Sequence, residues 1–254
     1  MAVTVGTTKT AERVSESGVT ITDENVAHTV DANTTLIVVD VIVQGNWGGA
    51  NDGDFSVTWD QPTANESLTR VNLPTRVDKT GNDPHIQTWG ALSPTAKSAN
   101  IRLLLSDGTY NNVVCHVTNY LGTSVASLGA AIAFVDDDVN LSDSATCVIG
   151  SGGTVGNLLH AVGAWKGTDT DPINLSSGWS GISTKYDDPG GETGDWATHL
   201  ANKAAASAIT FTAAGAGSPE NCMAVMLQIA PPVAAGGPRG PLGHPLSGPF
   251  GGPI

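Results

Sequence analysis

An all-β fold is predicted for this 254-residue chain: an antiparallel β-sandwich, jelly-roll-like, with an extended Gly/Pro-rich C-terminal tail. Three observations predict it. Short runs rich in Val, Ile, Leu and Thr recur at roughly ten-residue spacing, separated by Gly, Pro, Asn and Asp clusters. Charged residues make up 14% of the chain, against about 25% in an average soluble domain, and 31 residues are Gly. No stretch sustains the 3.6-residue period of an amphipathic helix. The Ala-rich "WATHLANKAAASA" is the one helix candidate, and its alternation of Trp196, Thr198 and Leu200 suits a strand at least as well.

Taken in order, residues 1–18 are polar and are assigned as an N-terminal arm or first edge strand. Residues 19–231 form the sandwich domain. Within it "VTIT" and "VAHTV" alternate, and "TLIVVDVIV" (Thr35 to Val43) is long and apolar enough for a central strand buried on both faces. After a Gly/Asn/Asp loop come "FSVTW", "LTRVNL", "HIQTWGAL" and "ANIRLLL", the last two flanking a Ser93-Pro94-Thr95 turn. "NNVVCHVTNY", "GAAIAFV", "ATCVI", "GNLLHAVGAW", "AITFTAA" and "CMAVMLQIA" complete the strands, and Pro231-Pro232 end the last. The stretch from Lys166 to Gly194 is expected to be loop-rich. Leu36, Val38, Leu103, Val114, Leu159, Val225 and Leu227 are the expected core.

The net charge of −13 makes a nucleic-acid partner unexpected, because an acidic surface repels phosphate backbones. Cys115, Cys147 and Cys222 form no CxxC pair and sit in apolar, strand-like runs, which suits buried free thiols. No apolar stretch follows a basic start at the N-terminus, so synthesis and retention in the cytoplasm are expected. No run approaches the ~18 apolar residues of a membrane span.

"TLIVVDVIV", then "SVTWDQPTANESLTRV", then "HIQTWGALSPTAKSANIRLLLS" resemble a β-sandwich module of tailed-phage structural proteins and bacterial surface proteins. "NLLHAVGAWKG" and the closing "WATHLANKAAASAITFTA" and "NCMAVMLQIAP" match its later strands. The likeness covers Val19 to Pro231. The module usually carries a Gly-Gly hairpin where this chain has Asp60 to Glu66, so a longer and more polar hairpin is expected here. The resemblance implies a virion structural protein, a head decoration or head-fibre base, and a trimer.

Chemical motifs are near-misses. Gly150 to Gly156 is glycine-rich but lacks the closing Gly-Lys-Ser/Thr of a phosphate loop. Neither GxSxG nor HExxH occurs. His28, His116, His160 and His199 lie in strand-like runs and read as core or sheet-face residues rather than ligands. Asp136-Asp137-Asp138, placed after a strand, and the Asp187 to Asp195 loop hold oxygen donors of the kind Ca²⁺ takes, without regular Asp-x-Asp-x-Asp-Gly spacing, so solvated turns are expected. Trp47, Trp165 and Trp179 stand in or beside Gly/Asp loops, where they serve either as packing lids or as stacking platforms for a sugar. No catalytic residue, cofactor or metal is assigned.

Half of the 14 prolines lie from Pro231 onward. Residues 232–254 form the tail, and its period is four: Pro241-Leu242, Pro245-Leu246, Pro249-Phe250 and Pro253-Ile254. In an extended chain Leu242, Leu246, Phe250 and Ile254 share one face and the four prolines the other. Such a segment cannot bury its own apolar groups, so a docking role on a neighbouring chain is expected. Fold, tail and cytoplasmic synthesis together point to a non-enzymatic protein on the exterior of a particle assembled in the host cytoplasm. Its expected partners are other virion proteins and copies of itself, with no membrane. A carbohydrate-binding adhesion module, with a cell-surface glycan as partner, is the competing expectation, and a polysaccharide-degrading enzyme comes third.

Overall fold

The computed structural model describes residues 3–14, 23–44, 55–61, 63–71, 85–105, 112–140, 144–149, 157–167, 180–188, 191–200, 209–214 and 221–232. The tail positions Pro241, Leu242, Pro245, Leu246, Pro249, Phe250, Pro253 and Ile254 lie outside the described residues, as do the Gly150 to Gly156 stretch, Trp47 and Trp179.

In chain order the strands are β1 (Thr4–Val14), β2 (Asp23–Thr29), β3 (Thr34–Gln44), β4 (Phe55–Gln61), β5 (Glu66–Ser67), β6 (Thr69–Arg70), β7 (His85–Leu92) and β8 (Ser98–Leu105). They continue with β9 (Asn112–Leu121), a helical turn α1 (Leu128–Ala131), β10 (Ile132–Asn140), β11 (Ser144–Ile149) and β12 (Leu158–Gly167). β13 (Ser180–Asp188), β14 (Gly191–Leu200), β15 (Ile209–Ala214) and β16 (Asn221–Ile229) complete the set. Every pairing among the described strands is antiparallel. The expected all-β class is therefore what the chain adopts.

The pairings make sheets in the orders β1-β9-β3-β7-β6, β2-β8-β4-β5, β10-β16-β12-β14-β13 and β11-β15. β3 holds the centre, paired with β9 on one side and β7 on the other. Its two faces feed two apolar clusters. Ile37, Val39 and Val41 pack with Val26, Trp59, Ile101 and Leu103, from strands of the β2-β8-β4-β5 sheet. Leu36, Val38 and Ile42 pack with Leu158, Val162, Val225 and Leu227, from β12 and β16. Alternation along a strand sends successive side chains to opposite faces, so a near-continuous apolar run is what such a position demands. All seven expected core residues are buried, but they do not gather in one core: Leu103 lies in the Trp59 cluster, Leu36, Val38, Val114, Val225 and Leu227 in the other, and Leu159 is buried outside both.

Other expectations are corrected. The segment from Lys166 to Gly194 contains β13 and the start of β14, paired from Ser180↔His199 to Asp188↔Gly191. Its Gly, Ser and Asp content masks a period-two set of β-formers, Ile182, Thr184 and Tyr186. Asp136-Asp137-Asp138 lies within β10, opposite Met226, Val225 and Ala224, rather than after a strand. Among the described strands β10 stands at the end of its sheet's order. "GAAIAFV" opens as α1, whose first turn is capped by Ser127 Oγ accepting from the Ala130 N–H at 3.2 Å. β14 confirms the strand alternation of Trp196, Thr198 and Leu200.

The "LTRVNL" stretch is not one strand but a crossing between sheets. β5 pairs with β4, whereas β6 pairs with β7. Between them the Leu68 N–H donates to Val57 O and its side chain is buried. The hairpin before it is polar, as expected. Asp60, at φ 65°, offers its carbonyl to the N–H groups of Thr63, Ala64 and Asn65. Its carboxylate is ion-paired with Lys97, and Glu66 accepts from the Thr95 hydroxyl.

Candidate functional site

The residue that stands out in β3 is Asp40, the lone carboxylate in an apolar run, and it is 0% exposed. Its strand parity puts it on the Leu36–Val38–Ile42 face. Antiparallel register sets Thr88 of β7 and His116 of β9 directly beside it. His160 of β12 reaches it from the facing sheet. Thr88 Oγ1 donates to Asp40 Oδ1 at 2.8 Å. His160 Nε2 lies 2.9 Å from Asp40 Oδ2, and His160 Nδ1 lies 2.6 Å from the Tyr120 hydroxyl. A carboxylate only accepts, so Nε2 carries the proton of this pair, and in the neutral ring Nδ1 then accepts from the phenol. One tautomer satisfies Tyr120, His160, Thr88 and Asp40 together.

A phenol–imidazole–carboxylate chain is also the layout of an activated nucleophile. Such chemistry needs a substrate atom about 3 Å from the hydroxyl. Tyr120 is 0% and His160 1% exposed, inside the apolar cluster. Burial first, and the charge of Asp40 second, push the Tyr120 phenol well above its ordinary range, so it stays protonated. The same two causes raise the Cys115 thiol, which is buried on the opposite face of β9 and is therefore no thiolate. The relay is placed to tie two sheets together across a buried core.

A second cluster lies at the surface. The Asp31 carboxylate accepts from Thr7 N–H and Thr7 Oγ1, each at 2.7 Å, and from Asn119 Nδ2 at 3.1 Å. These bonds hold its carboxyl below the usual carboxylate range, the Thr7 backbone N–H contributing most. Asn119, 0% exposed, also donates to Thr29 O and takes His28 Nε2 at 2.9 Å on its carbonyl oxygen. The cluster fixes β1, at its irregularity between Val5 and Thr8, to the end of β2. Beside it opens a groove of about 480 Å³, lined by Thr7, Thr8, His28, Thr29, Ser98 and Asn100, with Ala27 and Ala99.

The histidine expectation holds where side chains are described: His28, His116 and His160 lie on β2, β9 and β12 and are buried. Among the described residues no group of three or more His, Cys, Asp or Glu could hold a metal ion. Also among them, no helix is long and apolar enough to cross a membrane. Asp187 and Glu192 face each other across the β13–β14 ladder. Trp165 stands within β12, opposite Gly194 and Cys222, and not in a loop. The relay was missed in the sequence, although a single Asp inside "TLIVVDVIV" signals a buried partner. The His and Tyr that answer it lie 120 and 80 positions away, so local pattern cannot pair them. No protein-family model, curated protein or solved structure matches this chain.

Proposed function

We propose that this chain is a non-enzymatic virion structural protein of a tailed phage or phage-like particle, an exterior head decoration (cement) protein or head-fibre base. Its body is an antiparallel sandwich of jelly-roll type, and its tail docks on a neighbouring chain. The observation that carries the reading is the period-four tail, with Pro and then Leu, Leu, Phe or Ile in each repeat. Burying each apolar knob contributes roughly 1.5–3 kcal/mol. Ordering costs about 1–2 kcal/mol per residue, eased by the fixed φ of proline. The terms nearly cancel for one tail, so firm attachment calls for several tails on one oligomer, which suits a trimer. The packing of both faces of β3 supports a layered body. The burial of Tyr120, His160 and Asp40 supports a structural role for the chain's best-formed polar chain.

Removal of residues 236–254 tests the reading. The melting temperature should stay nearly unchanged while incorporation into particles is abolished, with Phe250→Ser weakening it only in part. Full occupancy by the truncated protein would place attachment on the body and overturn the docking role of the tail.

A further inference from the structure

The geometry points to the groove beside β1 and β2 as a binding site for an uncharged saccharide. Its volume of about 480 Å³ lies within the range of roughly 300–1,000 Å³ usual for small-molecule pockets. The lining is selective in kind. It presents hydroxyls from Thr7, Thr8, Thr29 and Ser98 and the Asn100 amide, and no Asp, Glu, Lys or Arg lines it among the described residues. The neighbouring carboxylate, Asp31, is already engaged by Thr7 and Asn119. Among the described residues a charged ligand would thus meet no counter-charge in the lining, whereas a polyol meets groups of its own kind.

The hydroxyl pair gives the chemistry. Thr29 Oγ1 and Ser98 Oγ lie 2.8 Å apart on paired positions of β2 and β8. One proton is shared between them, which leaves a second O–H to donate outward and lone pairs to accept. Vicinal sugar hydroxyls require the same double role, donor and acceptor at once. Across from the pair, Ala27 and Asn100 face each other in the same register. The short Ala side chain leaves room for a ring and offers it an apolar contact. Two of the lining residues are held by hydrogen bonds. Asn119 holds His28, which is 5% exposed, and Asp31 pins Thr7, so little ordering is left to be done on binding.

The test is ¹H–¹⁵N shift mapping of the full chain against glucose, galactose, mannose, N-acetylglucosamine and maltose, with glucuronate and glucosamine as charged counterparts. At least one neutral sugar should shift the amides around Thr29, Ser98 and Asn100 saturably, and more strongly than either charged one. Ser98→Ala and Thr29→Val each alter an exposed hydroxyl and should leave the spectrum otherwise native. Each should weaken that binding by about tenfold. No saturable shift with any neutral sugar, stronger binding of a charged one, or undiminished binding by both folded variants would overturn the site. None of these outcomes bears on particle incorporation, so the saccharide site and the docking tail fail or stand separately.

Discussion

Asp40, His160, Tyr120 and Thr88 show why a buried polar chain has uneven energetics. Desolvating the carboxylate offsets most of what its hydrogen bonds contribute, so the intact group adds little net stability. Losing one member is different. His160→Ala takes the Nε2 donor away from the buried Asp40 carboxylate while Thr88 Oγ1 still donates to it, and denaturant unfolding should show a loss of about 3–5 kcal/mol. Tyr120→Phe leaves His160 Nδ1 without its phenol and should cost about 1–3 kcal/mol. In the double variant the losses should fall short of their sum. Strict additivity would show that the relay is not one unit. Asp31 acts at the same scale with a pH signature. Its folded pKa lies below the ordinary 3.8, so its contribution is present above that value and fades as pH falls through the folded one. Asp31→Asn should therefore be less stable than the parent at neutral pH, by about 1 kcal/mol after solvent screening. That gap should close in acid well below pH 3.8. A gap unchanged on acidification would remove Asp31 as the anchor of β1.

Among the elements, legibility followed the physics of burial. β3, β7, β8, β9, β12 and β16 were readable because a strand packed inside the molecule must be apolar at the positions it buries. β13 was not, since Gly, Ser and Asp between Ile182, Thr184 and Tyr186 carry the local composition of a loop. Pairing within the sheet overrode it. The crossing at Leu68 was also hidden. Thr69-Arg70 and Glu66-Ser67 are short enough that only their partners, β7 and β4, say which sheet each joins. The turn at Ser93 is legible from the proline that follows it, and its φ of 47° is held by its N–H donating to Thr35 O. The groove was illegible for a simple reason. Thr7, Thr29 and Ser98 are ordinary surface residues until β1, β2 and β8 bring them together.

At the scale of the molecule, β3 is common property of both apolar clusters, so neither can come apart while the other keeps its wall. Leu103→Asp places an unpaired charge in the Trp59 cluster and should cost several kcal/mol. The loss should be felt on both sides of β3 in one transition. Trp59 fluorescence would follow the first cluster and hydrogen exchange at Val225 and Leu227 the second. Exchange protection at Val225 and Leu227 that survives the Trp59 transition would show two separable bodies. The pairings β1–β9, β2–β8 and β3–β9 join residues far apart in sequence, a topology that folds slowly.

The relay across the buried core also settles a question that oil-like contacts leave open. One apolar sheet face can slide over another by two residues, about 6.6 Å along a strand, and still find Val against Leu. Such a slip would set His160 against Val38 or Ile42 and abandon Asp40 in hydrocarbon. Dispersion is nearly blind to that displacement, and a directional bond to a single carboxylate is not. The polar chain is thus an alignment key: it adds little to how strongly the sheets adhere and a great deal to where they come to rest.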